Sequence, residues 1–200
     1  MKGLYLITPD DDDTDRLLRR VRAVLPGAAL LQYRNKPAPA ALRREQAAAL
    51  LGACRDAGVP LVVNDDVELA RDIGADGVHL GHGDGSAADA REKLGPGSIV
   101  GVSCYADAAL ARAAVAAGAS QVAFGAFRPS PTKPHAPRAS VSLLEATADL
   151  GVPRVAIGGI TPQDAPALLA AGADLIAVIS GVFGAPDPAA AARAYRACFD

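Results

Sequence analysis

Cysteine is scarce in this chain: Cys54, Cys104 and Cys198 are the three present, far apart and without a C-x-x-C pair. An odd count with no paired spacing argues against a disulfide framework or a zinc ribbon and predicts a reducing, cytoplasmic setting. Net charge is nearly absent too, at a formal −2 over 200 residues. There is thus no general basic surface, and nucleic acid is not an expected partner. Any bound anion must meet a local cluster of cations instead. No apolar run approaches the length of a membrane helix, so no membrane partner is expected. The run Leu4-Tyr5-Leu6-Ile7, directly after Met1-Lys2-Gly3, is too brief for a signal peptide. No G-x-G-x-x-G follows that first run, which removes the usual mark of a dinucleotide-binding sheet.

What the chain does have is one repeated pattern. A helical stretch ends at Gly, a small or β-branched residue follows, and a short apolar run comes next. The copies are Ala57-Gly58-Val59 before Leu61-Val62-Val63, Ile73-Gly74-Ala75 before Val78-His79-Leu80, and Ala117-Gly118-Ala119 before Val122-Ala123-Phe124. Leu150-Gly151-Val152 before Val155-Ala156-Ile157 and Ala171-Gly172-Ala173 before Leu175-Ile176-Ala177-Val178 continue it, and Gly27 and Gly97 open looser versions. Gly suits a helix that closes in the left-handed conformation, and runs apolar on both sides suit parallel strands covered on both faces. With Leu4–Thr8 as the first strand, eight strands are expected, seven helical stretches between them and a last helix near residues 188–199. Helix one carries the stripe Leu17, Leu18, Val21, Val24 and Leu25, with Arg16, Arg19, Arg20 and Arg22 on a face expected to be solvated. Helix seven is expected to open on Thr161 as N-cap with Pro162 in its first turn. Strict βα alternation over eight units predicts a single (β/α)8 TIM barrel, an α/β fold, spanning residues 1–200.

In such a barrel the chemistry gathers at the carboxyl ends of the strands. Those positions here are polar: Gln32-Tyr33-Arg34-Asn35-Lys36 after strand two, Asn64-Asp65-Asp66 after strand three, Gly81, His82 and Asp84 after strand four, and Ser103 after strand five. Gly158-Gly159 follow strand seven and Ile179-Ser180-Gly181 strand eight. Alternation puts Gln32, Arg34 and Lys36 on one side, two fixed positive charges and an amide that suit a phosphorylated ligand, or else ion pairs with nearby Asp residues. Asp65 and Asp84 follow adjacent strands, about 4.8 Å apart, and could share one hard cation such as Mg²⁺; Asp66 is the expected cap of helix three. The small residues after strands seven and eight suit a phosphate held by backbone N–H groups and the start of a short helix. Arg128–Ser140 is the longest connection and is expected to close over a ligand, bringing in Lys133. His79 and His82 form an H-x-x-H pair without a third ligand, so no zinc site is expected. Asp10–Asp13 are read as serving the dipole and cap of helix one, Cys54 as a core residue, and Cys104 as a thiol without a base partner.

The stretches Leu31–Lys36, Val63–Asp65, Ala75–Gly81, Gly101–Ser103, 129–134, Ala156–Ile160 and Val178–Ser180 together resemble the thiamine-phosphate synthase family over nearly the whole chain. The Q-x-R-x-K stretch and the P-S-P-T-K loop are specific in combination. The resemblance implies a transferase that joins hydroxymethylpyrimidine diphosphate to a thiazole phosphate, giving thiamine phosphate and diphosphate in thiamine biosynthesis. It implies that Gln32, Arg34, Lys36, Asn64, Ser103 and Lys133 hold the pyrimidine diphosphate, with Tyr33 and Asn35 in the same stretch. Arg34, Lys36, Ser103 and Lys133 would be catalytic, and Asp65 and Asp84 would hold Mg²⁺. Ser130, Pro131, Thr132, Gly159, Ile179 and Ser180 would bind the thiazole phosphate. Three departures stand out: His82-Gly83 where the family often has Gln-Glu or Gln-Asp, Ser130 for a frequent Thr, and Tyr105 for a frequent His. The competing readings are a thiazole tautomerase-like isomerase on the same scaffold, needing no diphosphate clamp or metal pair, and a non-catalytic ligand sensor. The oligomeric state is left open by the sequence.

Overall fold

The computed structural model describes residues 1–81, 83–128 and 138–200. Among them, the chain alternates β1 (Gly3–Ile7), α1 (Thr14–Val24), β2 (Leu30–Tyr33), α2 (Ala40–Ala57), β3 (Leu61–Asn64), α3 (Val67–Ile73), β4 (Gly77–Leu80) and α4 (Ala87–Leu94). It continues with β5 (Ile99–Tyr105), α5 (Ala108–Ala116), β6 (Gln121–Phe124), α6 (Val141–Ala146), β7 (Arg154–Ile157), α7 (Ala165–Ala170), β8 (Leu175–Val178), a four-residue α8 (Ser180–Phe183) and α9 (Pro188–Arg196). The eight strands are parallel, pair in sequence order, and close where β8 pairs β1. This is the expected (β/α)8 barrel.

The pattern that announced the barrel works as its physics requires. α2 and α3 end on Gly58 and Gly74, both in the left-handed conformation. After α2, the Val59 N–H reaches back to the Cys54 carbonyl at 3.0 Å, which turns the chain toward β3. Both faces of each strand are then covered. Inside the barrel Tyr5, Ile7, Leu30, Val62, Ala123, Val155, Leu175 and Ala177 form one apolar cluster. The opposite faces, among them Leu4, Leu6, Leu31, Val63, Val78 and Val122, pack under the helices with Leu17, Val21, Leu50 and Cys54. Cys54 and Cys104 are buried, and no described cysteine forms a disulfide. No helix among the described residues is long and apolar enough to cross a membrane.

Several local expectations need correction. α7 starts at Ala165 rather than after Thr161: Thr161–Asp164 forms a turn ahead of it, in which the Asp164 carboxylate accepts from the Thr161 N–H at 3.0 Å and the Thr161 hydroxyl at 2.9 Å. The Thr161 hydroxyl is thus spent as a donor to that carboxylate, and the cap position of α7 falls to Asp164. On α1, Leu18 is less buried than the rest of its stripe, and the arginine face is only partly solvated. The Asp11 side chain, 2% exposed, pairs with Arg16 at 2.5 Å and Arg20 at 3.3 Å, and Arg20 also donates to the Phe183 carbonyl. Of the acidic run, Asp13 is the helix cap, accepting from the Arg16 N–H at 2.8 Å. Asp11 is instead a buried tie between α1 and the loop before it.

Candidate active site

The carboxyl ends of β2, β3 and β4 build one cationic and acidic group. Thr8, just past β1, clips β2 from both directions: its Oγ1 accepts from the Arg34 N–H at 2.8 Å and donates to the Arg34 carbonyl at 2.9 Å. This holds the stretch after β2 extended, so that Arg34 and Lys36 project on one side. Arg34 pairs with Asp10 at 3.0 Å, and Lys36 pairs with Asp65 at 2.9 Å. Gln32, on the same side, lies deeper: it is 2% exposed and its amide nitrogen has no partner among the described residues.

Tyr33 and Asn35 turn the other way. The Tyr33 hydroxyl donates to Gln46 Oε1 at 2.9 Å, and Asn35 Nδ2 donates to the same oxygen at 2.9 Å and to the Asp11 carbonyl at 2.5 Å. Gln46 Nε2 closes the network on the Asp11 carbonyl at 3.0 Å. Gln46 is fully buried on α2. It ties the loop that carries Arg34 and Lys36 to the loop that carries Asp11, a part sequence reasoning missed, although a lone amide in the stripe Leu42, Ala49, Leu50, Ala53 was a visible signal.

β3 ends at Asn64. Asp65 follows with φ 62°, held by its N–H on the His79 carbonyl at 2.8 Å. Its Oδ2 accepts from Asn64 Nδ2 at 2.6 Å and its Oδ1 from the Gly81 N–H at 3.1 Å. Burial works against ionisation of Asp65, but Lys36, Gly81 and Asn64 outweigh it and keep the carboxyl below the ordinary carboxylate range. Asp66 is the α3 cap, accepting from the Leu69 N–H at 2.9 Å, which leaves Asp65 to face the mouth. Gly81 stands between Asp65 and Asp84: a methyl group there would collide with Asp84 Oδ2 and approach Asp65 Oδ1 to 3.4 Å. Lys36, Asn64, Asp65 and Asp84 line one cavity of about 550 Å³. Two carboxylates converging on a space free of side chain fit a hard cation that keeps waters and phosphate oxygens as its other ligands. Among the described residues no group of three or more His, Cys, Asp or Glu side chains is arranged so that it could hold a metal ion.

β5 and β4 meet inside the mouth, where Ser103 Oγ lies 3.0 Å from His79 Nε2. Burial pushes the His79 imidazole down to about 4, against the Asp65 charge, so the ring is neutral. Cys104 points to the other face, and burial pushes its thiol up to about 12, consistent with an inert side chain. On the far side of the mouth Gly158 and Gly159 have φ of 104° and 66°, and Ile179 leads straight into α8 at Ser180. Pro129–Pro137, including Ser130, Pro131, Thr132 and Lys133, lie outside the described residues, as does His82. The ends of that connection are tied by the Ala139 N–H on the Ala126 carbonyl and the Arg128 N–H on the Gly158 carbonyl.

The site thus separates into a charged half on β2 to β4 and a glycine-rich half on β7 and β8, with Ser103 between. A sequence profile described as Thiamine monophosphate synthase matches residues 4–182. The chain is 59% identical over 198 residues to a thiamine-phosphate synthase of Xanthomonas campestris pv. campestris, covering 99% of this chain and 96% of that protein. It is 56% identical over 201 residues to the thiamine-phosphate synthase of Azoarcus sp., covering 100% and 98%. Among solved structures, a thiamine phosphate pyrophosphorylase from Pyrococcus furiosus superposes with a TM-score of 0.87 at 33% identity, over 98% of this chain and 94% of that one. The chain belongs to the thiamine monophosphate synthase family.

Proposed function

We propose that the protein is a Mg²⁺-dependent thiamine-phosphate synthase that transfers the pyrimidine-methyl group of hydroxymethylpyrimidine diphosphate to the ring nitrogen of a thiazole phosphate. The observation that carries this reading is the meeting of Lys36, Asp65 and Asp84, from three successive strand ends, on one cavity. A diphosphate entering there finds Lys36, with Arg34 two residues before it on the same stretch, and the present partners of both are carboxylates. Transfer of Lys36 from Asp65 to a phosphate oxygen frees the Asp65 carboxylate for the metal. Asp65 and Asp84 would hold the Mg²⁺, whose chemistry there would be to neutralise charge on the departing diphosphate.

The remaining work is alignment. Diphosphate departure leaves a cation stabilised by the pyrimidine's own ring amine, which the neutral thiazole nitrogen attacks, so no general base is required of the protein. Gln32, Asn64 and Ser103 hold the pyrimidine diphosphate on the β2–β5 side, with Lys133 brought in from the connection after β6. Gly159, Ile179 and Ser180 hold the thiazole phosphate through small residues and backbone N–H groups, and Ser130, Pro131 and Thr132 are assigned to the same ligand. Tyr33 and Asn35 act through the Gln46 network, by fixing the loop. Three unpaired cysteines suit the reducing cytoplasm as its place of work.

The test is to incubate the protein with both substrates, with Mg²⁺ and with a chelator, and to measure thiamine phosphate and diphosphate. Equal, metal-dependent formation of both is expected. Conversion of the thiazole phosphate alone without metal would favour an isomerase, and binding without turnover a sensor; either overturns the reading.

A further inference from the structure

The mechanism above gives no part to His79, although it is buried inside the barrel and bonded to a residue of the site. Its Nε2 faces Ser103 Oγ at 3.0 Å, while its Nδ1 is buried without a partner. β4 and β5 place His79 opposite Gly101, and β5 and β6 place Gly101 opposite Gln121. A Cβ at Gly101 would stand 2.5 Å from His79 Nδ1 and 2.8 Å from Gln121 Nε2. The missing side chain therefore lets the imidazole lie against β5 and reach Ser103. Below it, the Tyr5 ring meets the imidazole edge-on at 6.4 Å. The Tyr5 hydroxyl and Gln121 Nε2 are also buried, neither with a hydrogen bond of good geometry, although the Gln121 amide acts on the Tyr5 hydroxyl.

Nδ1 has no partner, and a buried N–H left without an acceptor is rarer than an acceptor left unpaired, so the single proton belongs on Nε2. A neutral imidazole has one N–H and one lone pair. With the lone pair on the unpartnered Nδ1, the hydrogen sits on Nε2 and donates to Ser103 Oγ. The serine's own hydrogen must then point away from His79, into the mouth. The opposite tautomer would turn only serine lone pairs toward an anionic substrate, a repulsive arrangement.

We propose that His79 is a positioning residue that, by donating from Nε2 to Ser103 Oγ, fixes the Ser103 hydroxyl as a hydrogen-bond donor toward the substrate. This rests on the functional reading above. The test is steady-state kinetics on the full chain with Mg²⁺ and both substrates, comparing wild type, Ser103→Ala, His79→Leu, His79→Gln and the double variant His79→Leu with Ser103→Ala. His79→Leu is expected to lower kcat about tenfold, the worth of one well-placed hydrogen bond, with the KM of the thiazole phosphate unchanged. His79→Gln, which keeps an N–H near the Nε2 position, is expected to recover most of that loss. In the Ser103→Ala background His79→Leu is expected to cost nothing more. Should His79→Leu fail to fold, judged by its thermal melt, Gly101→Ala pushes the imidazole off Ser103 from behind and is expected to lower kcat in the same way. An equal cost of His79→Leu in both backgrounds, no recovery with His79→Gln, or a fully active Gly101→Ala would overturn the proposal. A wild type that makes no thiamine phosphate would instead overturn the functional reading.

Discussion

Lys36 Nζ stands 2.9 Å from Asp65 Oδ2, so a residue after β2 and a residue after β3 hold each other at the barrel mouth. The remaining Asp65 oxygen takes the Gly81 N–H from beyond β4. One carboxylate therefore ties three consecutive strand ends together and sets where a cation and an anion meet.

Lys36→Met removes the cation at that junction while keeping much of the side chain's length. Turnover is expected to fall on the order of 10²-fold, as for other lost electrostatic donors at a developing anion. Lys36 is half exposed and outside the core, so the melting temperature should barely move. Diphosphate release and a thermal melt on one preparation separate the two effects.

Gly81→Ala tests the metal pair without removing either carboxylate. The added methyl strikes Asp84 Oδ2, so the Mg²⁺ concentration for half-maximal rate is expected to rise roughly 10-fold or more, as when the groups orienting metal ligands are disturbed. Asp84→Ala should lose on the order of 10² in turnover and should not be restored by excess metal. A Mg²⁺ titration that superposes on wild type for Gly81→Ala would place the metal elsewhere.

Gln46→Leu fits the apolar stripe of α2 but leaves the Tyr33 hydroxyl and Asn35 Nδ2 without their shared acceptor. Urea unfolding is expected to show a loss of about 1–3 kcal/mol, the cost of buried groups left unpaired. Because the same network holds the loop bearing Lys36, KM for the pyrimidine diphosphate should rise as well.

Asp11 supplies a pH-dependent term. Its hydrogen bond from Arg16 holds the carboxyl below its ordinary value against the effect of burial, with Arg20 adding to it. A depressed folded-state value contributes stability that is complete above the unfolded value of about 3.9 and lost as pH falls through the folded one. Asp11→Asn is expected to be less stable than wild type at pH 7, and the gap should close as pH drops below about 4. A gap independent of pH would show that the ion pairs contribute nothing.

Much of the site was legible because strand ends are legible. Once Gly marks a helix end and an apolar run follows, the next polar residues must fall at the mouth, and Arg34, Lys36, Asn64, Asp65 and Ser103 were found that way. Asp66 was separable from Asp65 because a cap must sit immediately ahead of its helix. The Gln46 network was not found, since it joins α2 to two loops through side chains that alternation only says face outward. Nor was the part of Asp11, because an acidic run before a helix reads the same whether its members cap, pair or face water.

The sequence by itself determined the order of the elements, the covering of both strand faces and the polar character of one barrel end, all of which depend on local periodicity and on which residues tolerate a left-handed turn. Only the tertiary structure decided who meets whom. The registers of β2 against β3, β3 against β4 and β4 against β5 put Lys36 on Asp65, Gly81 between two carboxylates and His79 on Ser103. Those contacts join residues 16 to 29 positions apart in all but the Gly81–Asp84 pair, and such distances are set by strand pairing, which no local pattern encodes.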